Sequence, residues 1–219
     1  MGIIINNPKS GGGKDYLAYR ISNLGSYNAK DNKITSLKDY AFYNDQQLAS
    51  VNFSNLTTVE KHAFAECNYL TSANLPEATT LGEQIFSSCD RLTEVIAPKV
   101  AQLGRSCFTQ CVALTNINLP SLTTAADYIF YNCTALQTAV FSKLTAISSG
   151  MFQGAVALQS ITLGASSVCT LAATSAIPAT SDHHVTIYVP ANLIDSYKVA
   201  TNWSTLYNNG YITFSAITE

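Results

Sequence analysis

Apolar residues recur along this chain at a fixed interval of 22. Phe42, Phe64, Phe86, Phe108, Phe130 and Phe152 follow one another at that distance without an insertion. Five residues before each stands Leu37, Val59, Leu81, Leu103, Ala125 or Ile147, and six after it Leu48, Leu70, Leu92, Leu114, Leu136 or Leu158. Nine and eleven after it come two further apolar positions, such as Val51 and Phe53 or Ile117 and Leu119, with polar residues between them. A unit this short cannot bury its apolar side alone, so the units must stack on one continuous core and expose one repeated surface. The segment past each Phe alternates inward and outward, which predicts a strand. Pro76, Pro98 and Pro120 follow three of these strands, where a residue without an N–H can end a ladder. Around the Phe, apolar residues at minus one, zero and plus three, as in Ile85, Phe86 and Cys89, predict a short helical turn on the opposite wall.

The combined pattern, I-x-x-x-A-F-x-x-C followed by L-x-x-I-x-L-P, resembles the BspA-like leucine-rich repeats of bacterial surface proteins. Residues 103–120 (LGRSCFTQCVALTNINLP) and 59–76 (VEKHAFAECNYLTSANLP) carry it most fully, and the resemblance spans residues 34–164. It implies an α/β fold: a right-handed leucine-rich-repeat solenoid of about seven coils, with parallel strands on one face and short helical turns or loops on the other. Three residues past the last strand position, where better-known repeats carry Asn or Cys, stand Leu56, Ala78, Val100, Leu122 and Leu144. The usual asparagine ladder is therefore absent.

The ends depart from the period. Residues 1–33 read as a short strand at Ile3 to Ile5, a glycine-rich linker, and a capping helix in which Leu17, Ile21 and Leu24 share a face. Residues 34–164 hold the six repeats. Residues 165–219 form an irregular last coil and a C-terminal cap. There Ile187, Val189 and Pro190 align with Ile117, Leu119 and Pro120 after four inserted residues. Pro190 suits a helix start, Trp203 and Tyr207 can seal the last coil, and alternation from Tyr211 to Ile217 predicts a final strand.

Composition shifts attention to the surface. Charged residues are only 12% of the chain against a usual share of about 25%, and the net charge is −2. Without a basic stripe a phosphate backbone has no footing, so nucleic acid is not an expected partner. The outward strand positions form a neutral carpet of hydroxyls and amides: Thr71, Asn74, Thr93, Thr115, Asn116, Asn118 and Thr138, with Glu94 the one charge and Ile96 and Val140 the apolar interruptions. Such a carpet can hydrogen-bond a glycan or an extended peptide, or simply solubilise a pleated surface for which β-branched Thr is well shaped. These ten residues are the candidate ligand-binding face.

Other motifs carry less. Cys67, Cys89, Cys111 and Cys133 repeat at 22 and read as an interior row of free thiols, because side chains running parallel between coils do not favour disulfide torsions. Gly11-Gly12-Gly13-Lys14 lacks the first glycine and the Ser or Thr of a phosphate loop. His183-His184 has no third ligand in view, and no acidic pair recurs for acid–base work. No catalytic residue, metal site or cofactor is expected. The opening Met-Gly-Ile-Ile-Ile turns polar too soon for a secretory signal, and no apolar run reaches the ~20 residues of a membrane helix. The resemblance implies a non-catalytic binding protein at the cell surface, recognising a host or surface protein or a glycan. The alternative is a structural or attachment component, for example of a phage or surface assembly, that uses the repeats as a rigid spacer, with a cytoplasmic or virion-associated location.

Overall fold

A computed structural model describes the backbone of Ile3–Ile5 and Ser26–Ala29 and residues 34–218 in full. Each coil contributes two strands, and all pairing between named strands is parallel. The front strands are β2 (Ser26–Ala29), β4 (Ser50–Phe53), β6 (Ser72–Asn74), β8 (Glu94–Ile96), β10 (Asn116–Asn118), β12 (Thr138–Phe141), β14 (Ser160–Leu163), β16 (Val185–Val189) and β17 (Ile212–Ala216). Shorter back strands alternate with them: β1 (Ile3–Ile5), β3 (Ile34–Leu37), β5 (Thr58–Val59), β7 (Thr80–Leu81), β9 (Gln102–Leu103), β11 (Thr124–Ala125), β13 (Ala146–Ile147) and β15 (Thr170–Leu171). Partners along each sheet differ by one repeat, as in Ser50↔Ser72↔Glu94. The front sheet runs β2-β4-β6-β8 and then β10-β12-β14-β16-β17, and the back sheet runs β1 to β11 and then β13-β15.

The strand at Ile3–Ile5 is present and ends the back sheet beside β3. Strand β2, not expected from the sequence, extends the front sheet. The expected linker and the capping helix over residues 14–24 lie outside the described residues. At the other end the four-residue insertion is absorbed before β16, which pairs in register with β14.

The wall around each Phe consists of stacked turns with no helix. Residues two before and two after every Phe have left-handed backbone: Tyr40 and Asn44, His62 and Glu66, Gln84 and Ser88, Ser106 and Gln110, Tyr128 and Asn132, Gly150 and Gly154. Each turn, with a left-handed residue at either end, aims alternate N–H groups at the next coil, where a helix would aim them along its own axis. Thus Gln84, Phe86 and Ser88 donate to the carbonyls of Arg105, Cys107 and Thr109 at 2.8–2.9 Å. Left-handed backbone costs roughly 1 kcal/mol at each non-glycine residue. Those inter-coil bonds and the burial behind them offset the cost.

Behind that wall the phenylalanines form a spine. Phe42, Phe64, Phe86, Phe108, Phe130 and Phe152 stack face to face with centroids 5.3–5.5 Å apart. Phe53 and Phe141 lean on it from the front sheet. The C-terminal end is closed by α1 (Ile194–Val199) and α2 (Trp203–Asn208). Trp203 and Tyr197 are buried there against Phe214, and the Trp203 indole N–H donates to the Cys169 carbonyl at 2.7 Å.

Candidate surface for ligand binding

The interior rows explain why the surface is uniform. Cys67 donates its thiol to the carbonyl of Phe42, Cys89 to that of Phe64, Cys111 to that of Phe86 and Cys133 to that of Phe108, all at 3.0–3.1 Å. These thiols tie each coil to its predecessor, as an asparagine ladder would. All six cysteines are free and buried. Burial pushes the Cys67 and Cys169 thiols up to about 12, and raises those of Cys89, Cys107 and Cys111 as well. A second row keeps the 22-residue period as far as Thr145 and is continued by Thr170 after a 25-residue step. Thr57, Thr79, Thr123, Thr145 and Thr170 donate their hydroxyls to the carbonyls of Thr35, Thr57, Ala101, Thr123 and Thr145 across the back sheet.

The front sheet brings the ten candidate residues onto one outer surface, but they are not chemically equivalent. The Thr71 and Thr93 hydroxyls donate to the carbonyls of Ala49 and Thr71, so their protons belong to the joint between coils. Asn74 donates to Asn52 at 3.1 Å. Asn116 donates to the Thr115 hydroxyl and accepts from Thr138 at 2.6 Å. Val140 and Thr115 are half-buried. That leaves Glu94, Ile96 and Asn118, all exposed, with Ile96 at 44%. Glu94 and Asn118 make no side-chain hydrogen bond among the described residues. These three flank the place where β8 and β10 lie side by side without ladder pairing. The turn wall continues across that place unbroken.

The back sheet carries a surface that sequence reading missed. A groove of about 370 Å³ crosses β7, β9 and β11, with Gly82, Gly104 and Ala126 as its floor and Thr80, Gln102 and Thr124 along it. Its floor exists because the coils approach backbone to backbone. A Cβ on Gly104 would sit 2.5 Å from the Gly82 carbonyl carbon and 2.6 Å from the Glu83 nitrogen. Replacing Gly104 by Ala is therefore expected to cost about 1–3 kcal/mol, the usual scale for forced overpacking, read as a lowered urea midpoint. An unchanged midpoint would show that the coils can part there freely.

The remaining fragments do not converge. Among the described residues no three His, Cys, Asp or Glu side chains are placed to hold a metal ion. His184 Nε2 lies 3.0 Å from the Ser181 carbonyl, while His183 pairs through its backbone with Thr180 in a small turn. Residues 11–14 fall outside the described part. No helix among the described residues is long and apolar enough to cross a membrane.

Parallel strands in two sheets, a phenylalanine spine and a 22-residue unit define a leucine-rich-repeat solenoid. The chain belongs to the BspA-type leucine-rich-repeat family, whose model matches residues 14–120 and 57–175 with six copies. Among solved structures, a leucine-rich-repeat protein of T. pallidum, TpLRR, is similar at a TM-score of 0.57 with 18% identity, over 86% of this chain and 83% of that one. The pneumococcal vaccine antigen PcpA is similar at a TM-score of 0.53 with 15% identity, over 89% of this chain and 41% of its own. At such identities the likeness speaks for the fold alone. No curated protein matches the chain.

Proposed function

We propose that this chain is a non-catalytic binding protein of a cell surface, recognising a host or surface protein or a glycan through its front sheet, without a cofactor. The observation that carries the reading is the exposed group Glu94, Ile96 and Asn118, set among hydroxyl and amide rows already fixed by bonds between coils. A rigid, preordered surface loses little conformational freedom on binding. An exposed Ile beside unpaired polar groups offers one apolar anchor with directional contacts around it. Membership of a repeat family known for surface antigens supports the location, and the repeat architecture supports binding over chemistry. The test is a screen of extracellular-matrix proteins and glycans with the wild-type chain, Ile96→Lys and Asn118→Lys. Selective binding lost at least tenfold in both variants, with unchanged thermal midpoints, is the expected result. Binding that survives both substitutions would move the site off the front sheet, with the back groove the next surface to substitute.

A further inference from the structure

The C-terminal end of the front sheet differs from the coils before it. Along the inward rows of β4 to β16, Val51, Ala73, Val95, Ile117, Ala139, Ile161 and Ile187 are all buried, as are Phe53, Leu75, Ala97, Leu119, Phe141, Leu163 and Val189. Strand β17 continues these rows with Phe214 and Ala216, and both are only half-buried. Ile217, which follows them, is 38% exposed. The helices cover Phe214 on one side, through Tyr197, Trp203 and Tyr207, and leave the strand otherwise part-exposed, in a stretch from Tyr211 to Thr218 that holds no charge and no proline.

The backbone of β17 is uncovered as well. Val185 N–H donates to the Tyr211 carbonyl and Ile217 N–H to the Val189 carbonyl. These two bonds fix the parity of the parallel ladder: Thr213 and Ser215 turn their backbone groups to β16, while Ile212, Phe214 and Ala216 present N–H and C=O away from it. Among the described residues no strand takes up that side. Natural edges are commonly blunted with Lys, Pro or a bulge, and this one has none of them.

We propose that this edge receives the β2 edge of a second copy, so that the chain assembles head to tail and the front sheet continues from one molecule into the next. Strand β2 is the outermost described front strand at the opposite end and runs in the same direction, being parallel to β4. The register of the sheet matches the two. Carried one step further, it places Thr213 beside Ser26, Phe214 beside Tyr27, Ser215 beside Asn28 and Ala216 beside Ala29, polar with polar and apolar with apolar at each position. By the same parity Ser26 and Asn28 carry the complementary backbone groups. No charge from either strand stands in the joint. Because the joined edges are different, the contact is heterologous and does not close at two copies.

Sedimentation velocity of the full chain over a rising concentration series is the test. Wild type is expected to grow past the dimer in a continuous series. Ala216→Pro removes an outward N–H at one end without touching a bond to β16, and Asn28→Pro does so at the other. Each variant alone should stop at a dimer-free monomer peak, whereas an equimolar mixture should form a complex of one copy of each and nothing larger, since each keeps one working end. Amide exchange at Phe214 and Ala216 in the wild type should also slow with concentration, which keeps the test open should either proline variant fail to fold. A wild type that remains monomeric, a closed dimer, undiminished growth in folded variants, or exchange independent of concentration would each overturn the proposal.

Discussion

Phe86→Ala should be among the most damaging single truncations in the repeat array, lowering stability by about 3–5 kcal/mol and splitting the unfolding transition. Phe86 is fully buried and stacks on Phe64 and Phe108 at 5.4 Å on either side. Its loss removes the transfer energy of a ring, leaves a cavity, and interrupts two aromatic contacts of about 0.5–1.5 kcal/mol each. In a solenoid each coil touches only its neighbours, so cooperativity between the two halves passes through that joint. Trp203, the only tryptophan, lies in the C-terminal cap and reports on that half alone. Urea titrations followed by Trp203 fluorescence and by far-ultraviolet circular dichroism should coincide in the wild type and separate in Phe86→Ala. Phe42→Ala, at the end of the described stack with one phenylalanine neighbour along the spine, should cost less and leave the transitions together. A loss below about 1 kcal/mol at Phe86 would mean that the neighbouring coils collapse onto the gap and that the spine is not what couples them.

The period made the interior legible, because every coil must fit the next and the same apolar residue recurs wherever the fit is tight. The front strands, the Phe row and the Cys row all follow from that constraint. The helical turn around each Phe did not. Its apolar spacing is shared by a turn of helix and by the turns found here, bracketed by left-handed residues, and residues such as Tyr40, His62 and Glu66 give no local sign of left-handed backbone. Only the stacking of coils, which rewards N–H groups aimed at the next coil, selects between them. The candidate site was legible as a face but not as a group. That Thr71 and Thr93 donate their hydroxyls to neighbouring carbonyls, while the side chains of Glu94 and Asn118 bond to no described residue, depends on distances between coils. Likewise the back groove arises from the chance alignment of Gly82, Gly104 and Ala126 at one repeat position, which a consensus averages away.

Alkaline pH should unfold this protein over a narrow range, and its buried thiols are the cause. Five cysteines, Cys67, Cys89, Cys107, Cys111 and Cys169, are held above their ordinary range by burial in an apolar interior. Unfolding returns them to water, where a thiol ionises near pH ~8.5. Below that value both states keep the protons, and stability does not depend on these groups. Above it the unfolded chain releases protons that the folded chain retains, so stability falls as pH rises, and it goes on falling until the folded thiols ionise, near 12 for Cys67 and Cys169. Each thiol contributes about 1.4 kcal/mol per pH unit within that window, so five together cost about 7 kcal/mol per unit. Tyr197, also raised to about 12 by burial, steepens the fall above pH ~10. Since whole domains are stable by only about 5–15 kcal/mol, the midpoint should lie between pH ~9 and ~11. Urea titrations in the presence of a reductant at half-unit steps from pH 8 read the slope directly. Cys111→Ala, which installs the residue that Ala155 already supplies at the same repeat position, should make the slope shallower by about one fifth while losing the thiol bond to Phe86. A stability that stays level from pH 8 to 11 would show that the thiols ionise in place, and that the coils admit water around them.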